Sequence, residues 1–126
     1  MSSKILIVDD DPQNRDILKI RLEAAGYQVF EASDGEEGLR AVEKEAFDLI
    51  LLDIMMPHRD GWQVCRALKS NAKTRSIPVI ILTARTLPID ELQSWECGAD
   101  DYASKPLDAP ALMKKIENLI ARRKAP

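Results

Sequence analysis

The amino-acid sequence predicts an α/β protein built on a doubly wound, five-stranded parallel sheet with helices on both faces. Three observations carry that expectation. Ile5 to Val8, Leu49 to Leu52 and Pro78 to Leu82 are short, almost unbroken apolar runs, whereas a half-exposed strand alternates apolar with polar residues, so these read as strands buried on both faces. Between them lie longer stretches with apolar residues at helical spacing. Asp, Pro and Gly punctuate the changes from one pattern to the other.

In chain order, the first strand, Ile5 to Val8, is followed by Asp9-Asp10-Asp11-Pro12. Asp11 as N-cap and Pro12 at the first helical position start a helix whose inner stripe reads Ile17, Leu18, Leu22 and Ala25, until Gly26 stops it. Tyr27 to Ala32 is a second, less hydrophobic strand, expected nearer the sheet edge. Asp34-Gly35 opens a helix with Gly38, Leu39, Val42 and Ala46 inward. The third strand, Leu49 to Leu52, ends at Asp53, and Pro57 and Asp60-Gly61 then break regular structure. From Gly61 a third helix turns Val64, Cys65 and Leu68 inward and fades into the polar Ser70 to Arg75 segment. Pro78 to Leu82 is the fourth strand, closed by Thr83. A fourth helix starts near Pro88 and runs to Cys97, where Gly98 suits the left-handed residue after a helix. Asp101 to Ser104 is a short fifth strand ended by Lys105-Pro106. Asp108 with Pro110 opens the last helix, with Leu112, Ile116, Leu119 and Ile120 as its buried stripe. Right-handed crossovers leave few topologies, and the flavodoxin-like order 2-1-3-4-5 is the common one at this size.

A chain of 126 residues, 45% apolar and 31% charged, makes one soluble domain, residues 1–126 with a core of about 4–123. A net charge of -3 argues against a nucleic-acid binder relying on a basic face. Lys114, Lys115, Arg122, Arg123 and Lys124 read as a solvated helix face and tail. No apolar run approaches a membrane span and the N-terminus lacks a signal peptide's cleavage region, so a cytoplasmic location is expected. Cys65 and Cys97 lack Cys-x-x-Cys spacing, which indicates neither a redox motif nor a zinc site; Cys65 reads as core packing. Trp62 and Trp95 read as packing residues at helix peripheries. His58, the single histidine, has no metal-ligand partner at useful spacing and reads as a loop residue.

In the predicted order, strands one, three, four and five bring their carboxyl ends together, the rim where open α/β sheets bind ligands. Asp9, Asp10, Asp53, Thr83 and Lys105 meet there. Like charges about 4 Å apart repel by roughly 4 kcal/mol at an effective dielectric near 20, so three carboxylates call for a cation, and Lys105 supplies one charge only. A hard divalent ion held by oxygen and keeping several waters describes Mg²⁺ better than Ca²⁺ or Zn²⁺. Blander readings stand beside this one. Asp9 to Asp11 suit a helix start, where the dipole favours acids by tenths of a kcal/mol. Asp53 suits a turn, Thr83 a strand, Tyr102 strand packing and Lys105 a solvent-facing strand end.

Five blocks in order, Ile-Leu-Ile-Val-Asp-Asp-Asp-Pro at 5–12, Asp-Leu-Ile-Leu-Leu-Asp-Ile-Met-Met-Pro at 48–57, Asp60-Gly61, Ile-Leu-Thr-Ala at 81–84 and Gly-Ala-Asp-Asp-Tyr-Ala-Ser-Lys-Pro at 98–106, resemble the receiver domain of two-component response regulators along essentially the whole chain. The resemblance implies that Asp53 is the phosphoacceptor, that Asp9, Asp10 and Asp53 hold Mg²⁺ with the backbone carbonyl of Met55, and that Lys105 pairs with the phosphoryl group. It further implies that Thr83 and Tyr102 form a conformational switch, that Met55 and Arg85 flank the water that resets it, and that Lys105-Pro106 is cis. The implied partners are a sensor histidine kinase or phosphotransfer protein, and a downstream protein contacting the fourth helix, fifth strand and fifth helix, with Trp95 contributing. Neither nucleic acid nor membrane is implied, and the state is monomeric or a phosphorylation-dependent dimer. Two other classes compete: a pseudo-receiver scaffold, against which the full acid, hydroxyl and lysine set speaks, and an aspartyl-nucleophile phosphatase of the haloacid-dehalogenase kind, which generally carries a second acid where Met55 stands. A nucleotide or flavin site is weaker, because no glycine-rich loop follows the first strand.

Overall fold

The computed structural model describes residues 2–54, 61–83, 97–104 and 107–124. Within them run β1 (Lys4–Val8), α1 (Pro12–Ala24), β2 (Gln28–Ala32), α2 (Gly35–Lys44), β3 (Leu49–Asp53), α3 (Gly61–Ser70), β4 (Val79–Thr83), β5 (Asp101–Ser104) and α4 (Ala109–Lys124). The last of these is the fifth helix expected from the sequence. The expected helix between Pro88 and Cys97 lies outside the described residues, except for Cys97 itself.

All four pairings are parallel and the strand order is β2-β1-β3-β4-β5, the order expected as the common one among the few that right-handed crossovers leave. The three central strands alternate between two layers. Leu6, Val8, Ile50, Leu52, Val79 and Ile81 face α2 and α3. Ile5, Ile7, Leu49, Leu51, Ile80 and Leu82 face α1 and α4. This is why the runs are apolar throughout: successive side chains point to opposite faces, and both faces are covered. β2 has exposed Gln28 and Glu31 and lies at the edge, as its composition suggested.

The helix starts follow their caps. The Asp11 side chain accepts from the Gln13 N–H at 2.9 Å ahead of Pro12, Asp34 accepts from the Glu37 N–H at 2.8 Å, and Asp108 accepts from the Ala111 N–H at 3.2 Å. Gly26, at φ 95°, turns the chain out of α1 in a conformation that a side chain disfavours. The fourth strand starts one residue later than expected, because Pro78 has no N–H for the ladder; its carbonyl still accepts from Ile50 N.

Three burial expectations are corrected. In α1 only Leu18 and Leu22 are buried, while Ile17 is 57% exposed and Ala25 is solvent-facing, since the sheet covers a narrower stripe of this helix than its apolar residues span. Ala46 lies beyond the end of α2 and is exposed, and Phe47 takes the core place, packing edge-on to Phe30 at 5.3 Å. Trp62 is buried within the α2–α3 layer and does not lie at its periphery. The basic C-terminal residues are also more engaged than a solvated face. Arg123 donates to the Phe47 carbonyl and pairs with Asp48, and Lys115 Nζ lies 3.0 Å from Asp101 Oδ1.

Candidate functional site

β1 and β3 are adjacent and in register from Ile5↔Leu49 to Val8↔Leu52, so the residues that follow them, Asp9 and Asp53, leave the sheet side by side. Asp9 is 0% exposed and Asp53 4%, while Asp10 is exposed. One carboxylate oxygen from each of Asp9, Asp10 and Asp53 lies within 4.8 Å of the other two. Asp9 is pinned on two sides: its Oδ1 accepts from the Asp11 N–H at 2.9 Å, and its carbonyl accepts from Arg15 Nη1 at 2.6 Å. Arg15 in turn reaches Glu31 at 3.3 Å, so β2 and α1 together hold the end of β1 in place.

Gly61 shapes the opposite wall. Its N–H donates to the Ile54 carbonyl at 3.1 Å, which ties the start of α3 to the end of β3. A Cβ at Gly61 would run into the Ile54 Cα and the Asp53 carbonyl. Glycine is therefore required by close backbone approach, next to the residue that carries the central acid.

Thr83 ends β4 and is 2% exposed. The register Asp53↔Leu82 puts it one step past the acid on the neighbouring strand, opposite Ser104 of β5. Tyr102, half-buried, pairs with Ile81, packs against the α2–α3 layer and carries Lys115 Nζ 5.8 Å from its ring centre. The sequence reading missed the place of Lys115: on α4 it bridges the Tyr102 ring and the Asp101 carboxylate. Helical spacing from Ile116 and Leu119 puts it beside the buried stripe, which was the available signal. Lys105, Met55, Arg85, His58, Trp95 and the Lys105-Pro106 bond lie outside the described residues.

The acid cluster fits a hard cation. All three donors are carboxylate oxygens, two of the three residues are shielded from water, and among the described residues no histidine or thiol joins them. Such a set suits Mg²⁺ far better than a metal preferring nitrogen or sulfur.

A five-stranded parallel sheet with this strand order, carrying acids at the carboxyl ends of β1 and β3, defines a flavodoxin-like α/β protein with an acidic ligand rim. The family model described as "Response regulator receiver domain" matches residues 5–117, and the chain belongs to that family. Among curated relatives it is 42% identical over 119 residues to the DNA-binding dual master transcriptional regulator RpaA of Synechocystis, covering 94% of this chain and 49% of that protein. The chain thus spans about half the length of that relative. Among solved structures, the signal receiver domain of a signal transduction histidine kinase from Syntrophus aciditrophicus matches with a TM-score of 0.93 at 39% identity, covering 99% of this chain and 95% of that one. The receiver domain of the sensor histidine kinase PA1611 from Pseudomonas aeruginosa matches with a TM-score of 0.88 at 30% identity, covering 96% and 99%, and that structure has a magnesium ion coordinated in its active site cleft. Receiver domains are generally signalling domains that bind Mg²⁺ at an acidic site, and no helix among the described residues is long and apolar enough to cross a membrane.

Proposed function

We propose that this domain accepts a phosphoryl group on Asp53 from a phosphohistidine of a sensor kinase or phosphotransfer protein, in a Mg²⁺-dependent reaction. The observation that carries the proposal is the convergence of Asp9, Asp10 and Asp53, with oxygens within 4.8 Å of one another, at the carboxyl rim of the sheet. These three residues, with the Met55 carbonyl, are the ones that would hold the cation. When bound, it offsets the crowded negative charge and stabilises the oxygens of the phosphoryl group in flight.

The chain's own groups do the rest. The Asp53 carboxylate attacks phosphorus in line, an acyl phosphate bond forms, and the donor imidazole leaves. Lys105 supplies positive charge to the incoming oxygens, and the Thr83 hydroxyl donates to one of them. Movement of Thr83 toward the phosphoryl group vacates space for Tyr102 to turn inward, a local charge change biasing a two-state element. Met55 and Arg85 flank the water that later hydrolyses the acyl phosphate. The face formed by β5, α4 and the helix expected from the sequence near Pro88 to Cys97, with Trp95 contributing, then meets a downstream protein in the cytoplasm. This domain contacts no nucleic acid itself and is a monomer or a phosphorylation-dependent dimer.

Incubation with Mg²⁺ and acetyl phosphate tests the reading. Expected is one added phosphoryl group per chain by intact-mass measurement, prevented when the metal is chelated before the donor is added and absent in Asp53→Asn. Multiple turnover of the donor with no retained phosphate in the wild type would indicate a phosphatase. No response to acetyl phosphate or beryllofluoride would indicate a scaffold.

A further inference from the structure

Cys65 lies on α3 and Cys97 in the turn ahead of β5, 32 positions apart in sequence. Their sulfurs are 3.0 Å apart, and both residues belong to the α2–α3 core layer, 0% and 3% exposed. Cys65 Sγ also lies 3.5 Å from the Cys97 carbonyl oxygen, which fixes the side chain toward its partner. Both are reduced, and neither is in a disulfide. A disulfide has a sulfur separation of about 2.05 Å, so bonding these two asks for an approach of about 1 Å, within reach of side-chain rotation and small backbone adjustment.

We propose that Cys65 and Cys97 form a reversible intramolecular disulfide, with hydrogen peroxide as the oxidant. Cys97 is the attacking sulfur. Its hydrogen bond with the Cys65 thiol holds it down at about 7, assisted by the Ala99 N–H and Arg66 and opposed by burial. That same hydrogen bond, with burial, pushes Cys65 well above the ordinary thiol range. The two thiols thus divide into one that ionises and one that keeps its proton.

The Cys97 thiolate attacks a peroxide oxygen; the O–O bond breaks, hydroxide leaves and is protonated to water, and Cys97 becomes a sulfenic acid. Cys65 sulfur then attacks Cys97 sulfur, the S–O bond breaks, and water departs with the Cys65 proton. In sum, two thiols lose two electrons and two protons, and the peroxide becomes two waters. Burial sets the choice of oxidant. A small neutral molecule reaches the pair through local opening, whereas a bulky disulfide such as oxidised glutathione does not. The bond would join α3 to the turn that leads into β5, within the core layer against which Tyr102 packs.

The full chain is treated with hydrogen peroxide, alkylated under denaturing conditions and mapped by mass spectrometry. Expected are a monomer with no alkylatable thiol, a linked pair of peptides containing Cys65 and Cys97, and a raised Tm, all reversed by dithiothreitol. Oxidised glutathione at the same concentration leaves both thiols alkylatable. In Cys65→Ser, whose hydroxyl keeps a hydrogen bond to Cys97 but cannot resolve it, peroxide leaves a Cys97 sulfenic acid that dimedone traps on unfolding, whereas the wild type gives no adduct because Cys65 resolves it. The wild-type map decides the matter even if that variant does not fold. Two unmodified thiols after peroxide, over-oxidised Cys97 without a link, or a cross-linked dimer would each overturn the proposal.

Discussion

The two layers that sandwich the sheet are built from alternate residues of the same strands and yet differ in kind. The α1–α4 layer is aliphatic, closed by Leu18, Leu22, Leu112, Ile116, Leu119 and Ile120. The α2–α3 layer mixes aliphatic residues with Phe47, Trp62 and the two cysteines. It is also stitched at its margin by polar bonds. Lys69 Nζ donates to the Ile77 carbonyl at 2.7 Å and to Asp100 Oδ2 at 2.8 Å, and Asp100 Oδ2 also accepts from the Val79 N–H at 2.8 Å. Thr74 Oγ1 donates to the Leu68 carbonyl at 2.6 Å. The aliphatic layer gains its stability from shape and area, which any well-packed hydrophobe supplies. The mixed layer holds the two cysteines and supports Tyr102, and directional bonds fix the chain segments around them.

Substitutions in the two layers sharpen that contrast, and the losses below would be read from urea unfolding. Ile116→Ala, at a position with 0% exposure in the aliphatic layer, should cost about 4 kcal/mol, because removed methylenes leave a cavity that rigid neighbours do not fill. Gly61→Ala should cost about 3 kcal/mol by overpacking, since the new Cβ meets backbone at Ile54 and Asp53 and no side chain can yield. It should also slow phosphorylation from acetyl phosphate, because the displaced backbone carries Asp53. Asp100→Ala should cost about 2 kcal/mol, the loss of a carboxylate that holds the Val79 N–H and the Lys69 ammonium. Asp11→Ala, outside both layers, should cost about 1 kcal/mol as a lost N-cap. If Asp100→Ala proved neutral while Ile116→Ala held to expectation, the directional bonds of the mixed layer would be ornamental, and the distinction drawn between the layers would fail.

Some residues announced their places in the sequence and some did not. Val79 to Leu82 and Leu49 to Leu52 are strands on both readings, because burial on two faces leaves no room for a polar side chain in the run. Asp11, Asp34 and Asp108 were legible as helix starts, because a cap is a bond between a side chain and backbone two or three residues on. The acid cluster was legible one inference later: once the strand order was known, Asp9 and Asp53 had to emerge from adjacent strands. Ile17 was misjudged, because periodicity shows that a helix has an apolar stripe and not how wide a stripe its neighbours cover. Trp62 was misjudged for a related reason, since the depth of a helix end depends on what packs over it.

The sequence by itself determined the alternation of strands and helices among the described residues, the capped helix starts, and the presence of acids at strand ends, because each is encoded in a pattern spanning at most a few turns of chain. Only the tertiary structure decided that Cys65 and Cys97 touch, that Lys115 lies over Tyr102, and that Arg123 closes onto the Phe47 carbonyl. Those contacts join separate elements, and their existence depends on how each helix is rotated and seated on the sheet. That seating is settled by the packing of the whole core, which no local run of residues contains.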